Sequence, residues 1–267
     1  MVNLNAIQIK NLEFSYSHHK SDDGFNLLIN EFTVTEGEFI SILGANGCGK
    51  STLLRLVANL LNPDSGIIEV FGNVSSKKSQ SNFSKLISYV PQMNYSVFPF
   101  SVYEIVMMGR TPYLNLLGFD KDDDRRIVNE ALAKLEIEHL AKKGINEISG
   151  GEAQRVFIAR ALAQDAKIIL LDEPNSHLDI EHQISIFELL KSINKEKGKT
   201  ILTVSHDLNL VGIYSNRTVI MENGKIAFDG EKKEILTKEN IKNSFHVEAD
   251  VIAGKGSAIN VLINPVS

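Results

Sequence analysis

The stretch that decides the fold is G-A-N-G-C-G-K-S-T, from Gly44 to Thr52. Glycines let consecutive backbone N–H groups turn toward one anion, and a helix that follows adds its N-terminal dipole. Lys50 would reach the β- and γ-phosphates of a nucleotide, and the Ser51 hydroxyl would ligate Mg²⁺. The pattern therefore predicts a phosphate-binding loop between a strand and a helix. The predicted ATP-binding residues of the loop are Gly44, Asn46, Gly47, Cys48, Gly49, Lys50, Ser51 and Thr52.

The segments on either side of this loop agree with that prediction. Residues 39–43 are an apolar run, typical of a buried strand. After the loop, leucines and a valine recur at helical spacing and stop before Pro63. The loop thus has the strand-then-helix context that a phosphate site requires.

A second acidic element lies far downstream, where the apolar run 168–171 ends in Asp172 and Glu173. A carboxylate at the end of a buried strand can hold Mg²⁺ through water. The next residue, Glu173, can then polarise the attacking water as a general base. Taken alone, the same pair could simply cap a turn before Pro174. Together with the glycine loop, it predicts the metal-binding and catalytic carboxylates of a nucleotide hydrolase.

Strand and helix patterns alternate over most of the chain. The first 40 residues read as strands, and 92–150 has the character of a helical insertion. From residue 151 onward, helices and strands alternate again, which favours a parallel sheet covered by helices. The chain shows no internal repeat, so we expect a single cassette-like unit.

The composition excludes several classes of function. The formal net charge is −5, whereas nucleic-acid-binding domains are usually basic, so no nucleic-acid partner is expected. The chain has one cysteine, Cys48, which is typical of a reducing compartment. No apolar stretch approaches the roughly 20 residues of a membrane span. We expect a soluble chain, or one held at a membrane by a partner.

A third element identifies a family. Ser149-Gly150-Gly151-Glu152 opens a predicted helix, which makes it a second anion-binding helix start. It resembles the Ser-Gly-Gly signature of ATP-binding-cassette (ABC) ATPases, and the resemblance extends over nearly the whole chain. In that family two cassettes pack head to tail, and the signature of one covers the γ-phosphate held by the other. The resemblance implies a homodimer in which Ser149, Gly150, Gly151 and Glu152 act in trans.

The resemblance also implies the fold, an α/β P-loop NTPase (ABC ATPase) core with an N-terminal antiparallel β subdomain and an inserted α-helical subdomain. Residues 1–267 form one domain. Within it, 1–91 and 151–235 are the nucleotide-binding core with its β subdomain. The stretch 92–150 is the helical subdomain, carrying the signature at its end, and 236–267 is a C-terminal tail.

The remaining family motifs occur in order and imply further site residues. Tyr16 matches the aromatic residue that stacks on adenine, and Gln92 matches the glutamine that contacts Mg²⁺ and water. Asp179 matches a loop residue that reaches across the dimer, and His206 matches the histidine that contacts the γ-phosphate. The implied catalytic residues are Lys50, Glu173 and His206, and the implied ligands of Mg²⁺, the cofactor that accompanies ATP, are Ser51, Gln92 and Asp172.

The cargo is suggested by two further segments, 106–113 and 206–210, which look like those of bacterial importers for iron–siderophore complexes, haem and cobalamin. Such importers place a dimer of this chain on the cytoplasmic face of the inner membrane, beneath multi-span permease subunits. An extracytoplasmic substrate-binding protein delivers the cargo. We expect residues 94–103 to contact the permease, although their aromatic side chains could equally pack the core of the insertion.

Other functions remain open at this point. The chain could be a non-transport ABC ATPase of the iron–sulfur assembly type, the ATPase of an exporter or another transporter, or a module that senses ATP without turnover. Glu173 and His206 argue against the last of these, since a sensor does not need them. In place of the more frequent glutamine and threonine, the chain has Glu152 and Asn175, and neither change removes a phosphate contact.

Overall fold

The computed structural model describes residues 4–16, 25–76, 80–92, 99–113, 122–176 and 178–264. Its strands are β1 (Asn5–Ser15), β2 (Asn26–Thr35), β3 (Phe39–Gly44), β4 (Ser65–Val70), β5 (Asn73–Val74), β6 (Ile87–Val90), β7 (Ile168–Asp172), β8 (Thr200–Val204), β9 (Arg217–Glu222), β10 (Lys225–Glu231), β11 (Ala249–Ala253) and β12 (Ile259–Ile263). Its α-helices are α1 (Lys50–Val57), α2 (Gln80–Leu86), α3 (Val102–Met108), α4 (Asp122–Lys134), α5 (Gly150–Ala163), α6 (Ile180–Lys197), α7 (Leu208–Tyr214), α8 (Lys232–Ile235) and α9 (Lys238–Phe245).

The central sheet has the strand order β10-β9-β3-β8-β7-β6. All of its pairings are parallel except that of β10, which returns antiparallel along β9 at one edge. A separate antiparallel sheet has the order β2-β1-β4-β5. The predicted parallel core and N-terminal antiparallel β subdomain are both confirmed.

The central strands separate two hydrophobic cores because successive side chains of a strand point to opposite faces. In β7, Ile168 and Leu170 join the core formed with α1 and the antiparallel sheet. Ile169 and Leu171 of the same strand join the core formed with α5, α6 and the helical insertion. Burial on both faces explains why these strands read as unbroken apolar runs.

The predicted helical insertion contains α3 and α4, which pack against α5 in the second core. Val128, Ala131 and Leu132 form the apolar buried face of α4. The first helix after the phosphate loop is shorter than its leucine pattern suggested. It ends at Val57 instead of Leu61, and the chain turns at Asn59, which has a positive φ of 57°.

The C-terminal residues 236–267, which were predicted to be a tail, contain folded elements. Helix α9 packs on the hairpin β11–β12, and Ile241, Ala249 and Val261 form a small core of their own. Leu208 of α7 packs against this core as well as a neighbouring one. This C-terminal unit therefore adjoins α7, the helix that follows His206.

Within the described part of the chain, every helix is too short or too polar to cross a membrane.

Candidate active site

The phosphate-binding loop connects β3 to α1, as predicted. Gly49, immediately before the helix, has a φ of 106°, and a Cβ there would lie 2.8 Å from the Phe25 ring. Gly44, at the end of β3, has a φ of 145°, and a Cβ there would lie 2.3 Å from the Met221 carbonyl oxygen. Both positions therefore require glycine, because a side chain would be strained and would clash.

Lys50 is folded back into this loop. Its Nζ donates hydrogen bonds to the carbonyl oxygens of Gly44 and Ala45, both at 2.9 Å, and only 5% of the residue is exposed. The Cys48 thiol lies 3.9 Å from Nζ and is also buried. The loop thus fixes one ammonium group beside its own backbone N–H groups, an arrangement that suits a polyphosphate.

Asp172 lies at the end of β7 and is held by two hydroxyl groups. Ser51 Oγ donates to Oδ1 at 2.7 Å, and Tyr89 Oη donates to Oδ2 at 3.0 Å. Burial, with the nearby Asp172 charge, raises the pKa of Tyr89 to about 12, although Arg55 opposes this shift. Tyr89 therefore stays protonated and remains a donor to the carboxylate near neutral pH.

Tyr89 is a site residue that the sequence did not predict. Strand β6 pairs with β7 in parallel, which sets Tyr89 opposite Leu170. That register brings the phenol to Asp172, and the local sequence contains no signal for it.

Glu173 is the centre of the polar network. His206 Nε2 lies 2.8 Å from Oε1, while Gln92 Nε2 and Ser176 Oγ donate to Oε2 at 2.9 and 2.8 Å. Its backbone has a φ of 50°, an uncommon left-handed conformation for a residue other than glycine. Three predicted residues are thus brought together, with Ser176 as a member that the sequence did not assign.

The environment of Glu173 keeps its carboxylate ionised. Burial by itself raises its pKa, but hydrogen bonds from His206 and Ser176 and the charges of His206 and Lys50 outweigh that effect. The pKa of Glu173 is therefore lowered from its ordinary value, and the group is a carboxylate near neutral pH. An ionised carboxylate of this kind can accept a hydrogen bond from a water molecule.

The loop and Glu173 share a cleft of about 340 Å³, which Tyr16 and Phe25 line at one end. Tyr16 is 57% exposed, and its hydroxyl lies 3.1 Å from Thr52 Oγ1. Its ring contacts Phe14 edge-on, with centroids 4.9 Å apart. Tyr16, which directly follows β1, is therefore an exposed residue and not part of the core, and it lies beside the phosphate loop.

The signature residues lie elsewhere on the chain. Ser149 caps α5: Glu152 N–H donates to its Oγ at 3.3 Å, and Ser149 N–H donates to Glu152 Oε2 at 2.7 Å. The Ser149 N–H and the Ser149 hydroxyl both donate to the Glu152 carboxylate, and these two hydrogen bonds lower the pKa of Glu152. Gly151 lies so close to the His182 ring that a Cβ would come within 2.7 Å of it. Among the described residues that line the cleft, none belongs to the stretch 149–152.

Asp179 caps the next helix, α6. Its Oδ1 accepts hydrogen bonds from His182 N–H at 2.9 Å and from the ring at Nδ1 at 2.7 Å. The backbone bond and the ring bond lower the pKa of Asp179. His182 thus contacts both Asp179 and Gly151, two residues that were predicted to act on a second chain.

The predicted permease contact is only partly described. Residues 94–98 lie outside the described residues. Phe100 is 39% exposed, whereas Tyr103 packs against the core of the insertion. Glu104 is engaged in a capping box with Ser101 at the start of α3.

A family model described as "ABC transporter" matches residues 29–176. The chain is 32% identical over 249 residues to the iron(3+)-hydroxamate import ATP-binding protein FhuC of Bacillus subtilis, covering 93% of this chain and 91% of FhuC. It is 36% identical over 244 residues to the molybdate import ATP-binding protein MolC of Haemophilus influenzae, covering 91% and 88%.

Two solved structures extend the similarity. One is an ABC transporter described as of metal-chelate type, in an inward-facing conformation, with a TM-score of 0.83, 33% identity and 98% coverage of both chains. The other is an ATP-binding cassette in a dimeric, post-hydrolysis state bound to ADP and Pi. Its TM-score is 0.73 at 28% identity, with 85% of this chain and 98% of that chain covered.

Proposed function

This chain belongs to the ABC transporter family and is an ATPase, and on that premise we propose that it drives the import of a metal chelate. The observation that supports ATP hydrolysis as the driving step is the convergence of His206, Gln92 and Ser176 on Glu173, beside the phosphate loop. A module that only senses ATP has no need of this network.

Each residue of the cleft has its own role in phosphoryl transfer to water. The loop N–H groups and Lys50 bind the β- and γ-phosphates, and the Tyr16 ring packs on the adenine. Glu173 accepts a hydrogen bond from the water whose oxygen attacks the γ-phosphorus, while the bond from that phosphorus to the β,γ-bridging oxygen breaks. His206 holds Glu173 in place and donates to the γ-phosphate.

The donor set beside the loop fits Mg²⁺. Ser51 Oγ and Asp172 Oδ1 are hard oxygen ligands that lie 2.7 Å apart. The Gln92 side chain lies near them, because its Nε2 donates to Glu173, the residue next to Asp172. In bound form, the ion would neutralise charge that develops on the phosphate oxygens. Tyr89, by donating to the other oxygen of Asp172, orients the carboxylate for this role.

The site is completed by a second copy of the chain. The cleft contains no described residue from 149–152, although the start of α5 is a helix N-terminus, which is a favourable place for an anion. Head-to-tail pairing supplies Ser149, Gly150, Gly151 and Glu152 to the γ-phosphate of the partner, with Asp179 crossing beside them. Two ATP molecules are then enclosed by residues of both chains.

The cargo class follows from the relatives, which include an iron(3+)-hydroxamate importer and a transporter of metal-chelate type. We infer that the dimer sits beneath multi-span permease subunits on the cytoplasmic face of the inner membrane. An extracytoplasmic binding protein supplies an iron–siderophore complex, haem or cobalamin. We infer that residues 94–103 contact the permease, and among the described residues of this stretch Phe100 is exposed.

The catalytic assignment is tested with Glu173→Gln. We expect this variant to bind ATP and Mg²⁺ normally, to lose turnover by at least about a hundredfold, and to accumulate as a dimer on size exclusion. Glu130→Gln, an exposed glutamate of α4 that pairs with Arg126, is the control and should behave like the wild type. Wild-type turnover in Glu173→Gln would contradict the assignment.

The cargo assignment is tested by uptake in cells that lack the chain. Complementation with the wild type, but not with Glu173→Gln, should restore uptake of one of ferric hydroxamate, haem or cobalamin. Molybdate is measured in parallel, because MolC is a molybdate import protein. If the wild type restored the uptake of molybdate alone, molybdate would be the cargo and the metal-chelate proposal would be wrong. If it restored none of these uptakes, a non-transport ATPase would be favoured.

A further inference from the structure

The segment after His206, which the sequence singled out and the catalytic network does not use, is tied to the C-terminal hairpin. Val261 N–H in β12 donates to Asn209 Oδ1 at 2.7 Å, and Asn209 Nδ2 donates to the Val261 carbonyl oxygen at 3.2 Å. One amide side chain thus satisfies both backbone groups of one residue, in the way that a neighbouring strand would.

The backbones of α7 and β12 are in close contact at a second point. A Cβ on Gly212 would lie 2.2 Å from the Ile259 carbonyl oxygen, so that only glycine permits this approach. In the same helix, Leu208 packs against the small core that contains Val261, which is 3% exposed. The hairpin therefore holds α7 through a side-chain clamp and through direct packing.

The start of α7 determines where His206 stands. Asp207 caps the helix by accepting hydrogen bonds from the N–H groups of Asn209 and Leu210 at 2.8 and 2.9 Å. His206 immediately precedes this cap and reaches Glu173 at 2.8 Å. Any tilt of α7 about its first turn would therefore move the imidazole relative to the carboxylate.

The hairpin also borders a cavity next to His206. This cavity of about 410 Å³ is lined by residues that include His206, Ser176, Gln183, Val261 and Ile263. The C-terminal hairpin thus shares a cavity with two of the residues that contact Glu173.

We propose that Asn209 is a positioning residue for ATP hydrolysis, which clamps α7 to the C-terminal hairpin so that His206 is held against Glu173. The inference rests on the proposed role of His206. The C-terminal unit then contributes to ATP hydrolysis indirectly: it holds His206 in position against Glu173 and does not contact the nucleotide.

The test compares Asn209→Ala with Asn209→Asp in the full chain. We expect Asn209→Ala to lower kcat by about tenfold and to leave KM for ATP unchanged. A misplacement of a catalytic group by about 1 Å can lower a rate by roughly a hundredfold, so a tenfold loss corresponds to a small displacement of His206. Asn209→Asp retains the acceptor for Val261 N–H and loses the donor, so its kcat should lie between Asn209→Ala and the wild type. Asn73→Ala removes an amide that bonds to Val70 O in a remote turn, and it should leave kcat unchanged.

Combination with His206→Ala separates positioning from general destabilisation. If Asn209 acts through His206, adding Asn209→Ala to His206→Ala should cost nothing further in kcat. A lower unfolding temperature for Asn209→Ala with wild-type kcat would overturn the inference, as would fully additive losses in the double variant. If His206→Ala itself turned over like the wild type, the proposed function would fail instead.

Discussion

At the scale of single residues, the site contains buried polar groups that pair with other groups of the protein. Lys50 rests on two carbonyl oxygens, and Asp172 is held by two hydroxyl groups. Such pairing offsets the cost of burying charge and leaves few rotamers to be ordered on binding. The loop is therefore preorganised for a polyphosphate.

Lys50 has a matched counterpart in Lys232, which allows its binding role to be separated from its burial. Lys232 is 7% exposed, its Nζ donates to the Ile213 carbonyl oxygen at 3.1 Å, and burial lowers its pKa. We expect Lys50→Ala to weaken ATP binding by at least about thirtyfold, since hydrogen bonds to charged groups contribute roughly 2 kcal/mol. Titration of a fluorescent ATP analogue measures the effect.

Lys232→Ala is the control for this prediction. It should lower the unfolding temperature, because a buried carbonyl loses its donor, and leave ATP affinity unchanged. Equal ATP affinity in Lys50→Ala and the wild type would contradict the phosphate role of the loop.

At the scale of elements, two helices begin with the same capping box. Ser101 and Glu104 start α3, and Ser149 and Glu152 start α5. In both boxes the serine Oγ to glutamate Oε2 distance is 2.7 Å, and the glutamate N–H to serine Oγ distance is 3.3 Å. The glutamate at position 152, where the family more often has glutamine, therefore has a structural use as a cap.

Because the two capping boxes have the same geometry, the box at Ser101 is a matched control for a test of the signature residue Ser149. Ser101→Ala and Ser149→Ala should each lower the free energy of unfolding by about 1 kcal/mol, the usual cost of a lost cap. Without the permease, only Ser149→Ala should also reduce ATPase activity, because in the proposed head-to-tail dimer only that serine would face a partner's nucleotide. Urea unfolding and steady-state turnover are the measurements, and equal activity in the two variants would exclude the role in trans.

At the scale of the whole molecule, Arg110 forms a buried ion pair within the helical insertion and also joins the insertion to α5, the helix that the signature opens. Arg110 Nε lies 2.8 Å from Asp124 Oδ1, and Nη1 donates to the Ala163 carbonyl oxygen at 2.7 Å. The guanidinium also stacks 4.1 Å above the Tyr113 ring. The segment 106–113, used above as a sign of importers, thus contains a residue that fixes where the insertion sits.

Removal of this guanidinium should destabilise the chain far more than removal of an exposed one. We expect Arg110→Ala to cost about 3–5 kcal/mol of unfolding free energy, because it removes a guanidinium that pairs with a buried carboxylate. Arg126→Ala, which breaks an exposed pair with Glu130 in α4, should cost less than about 0.5 kcal/mol. Urea unfolding of both variants checks the difference, and similar costs would contradict it.

Sequence alone determined the features that depend on consecutive residues. The phosphate loop is such a feature, because its glycines act through the conformation of a single stretch of backbone. The same holds for the strand end that carries Asp172 and Glu173, and for the two helix caps. The family resemblance added Gln92 and His206, which the structure brings to Glu173.

Tertiary structure alone decided the partners that come from distant parts of the chain. The placement of Tyr89 on Asp172 depends on the register of β6 against β7, and the clamp of Asn209 on Val261 depends on how the C-terminal hairpin returns to α7. A side chain's own neighbours in sequence contain no record of such pairings. They are set by strand order and helix packing, where contacts between remote segments together outweigh local preference.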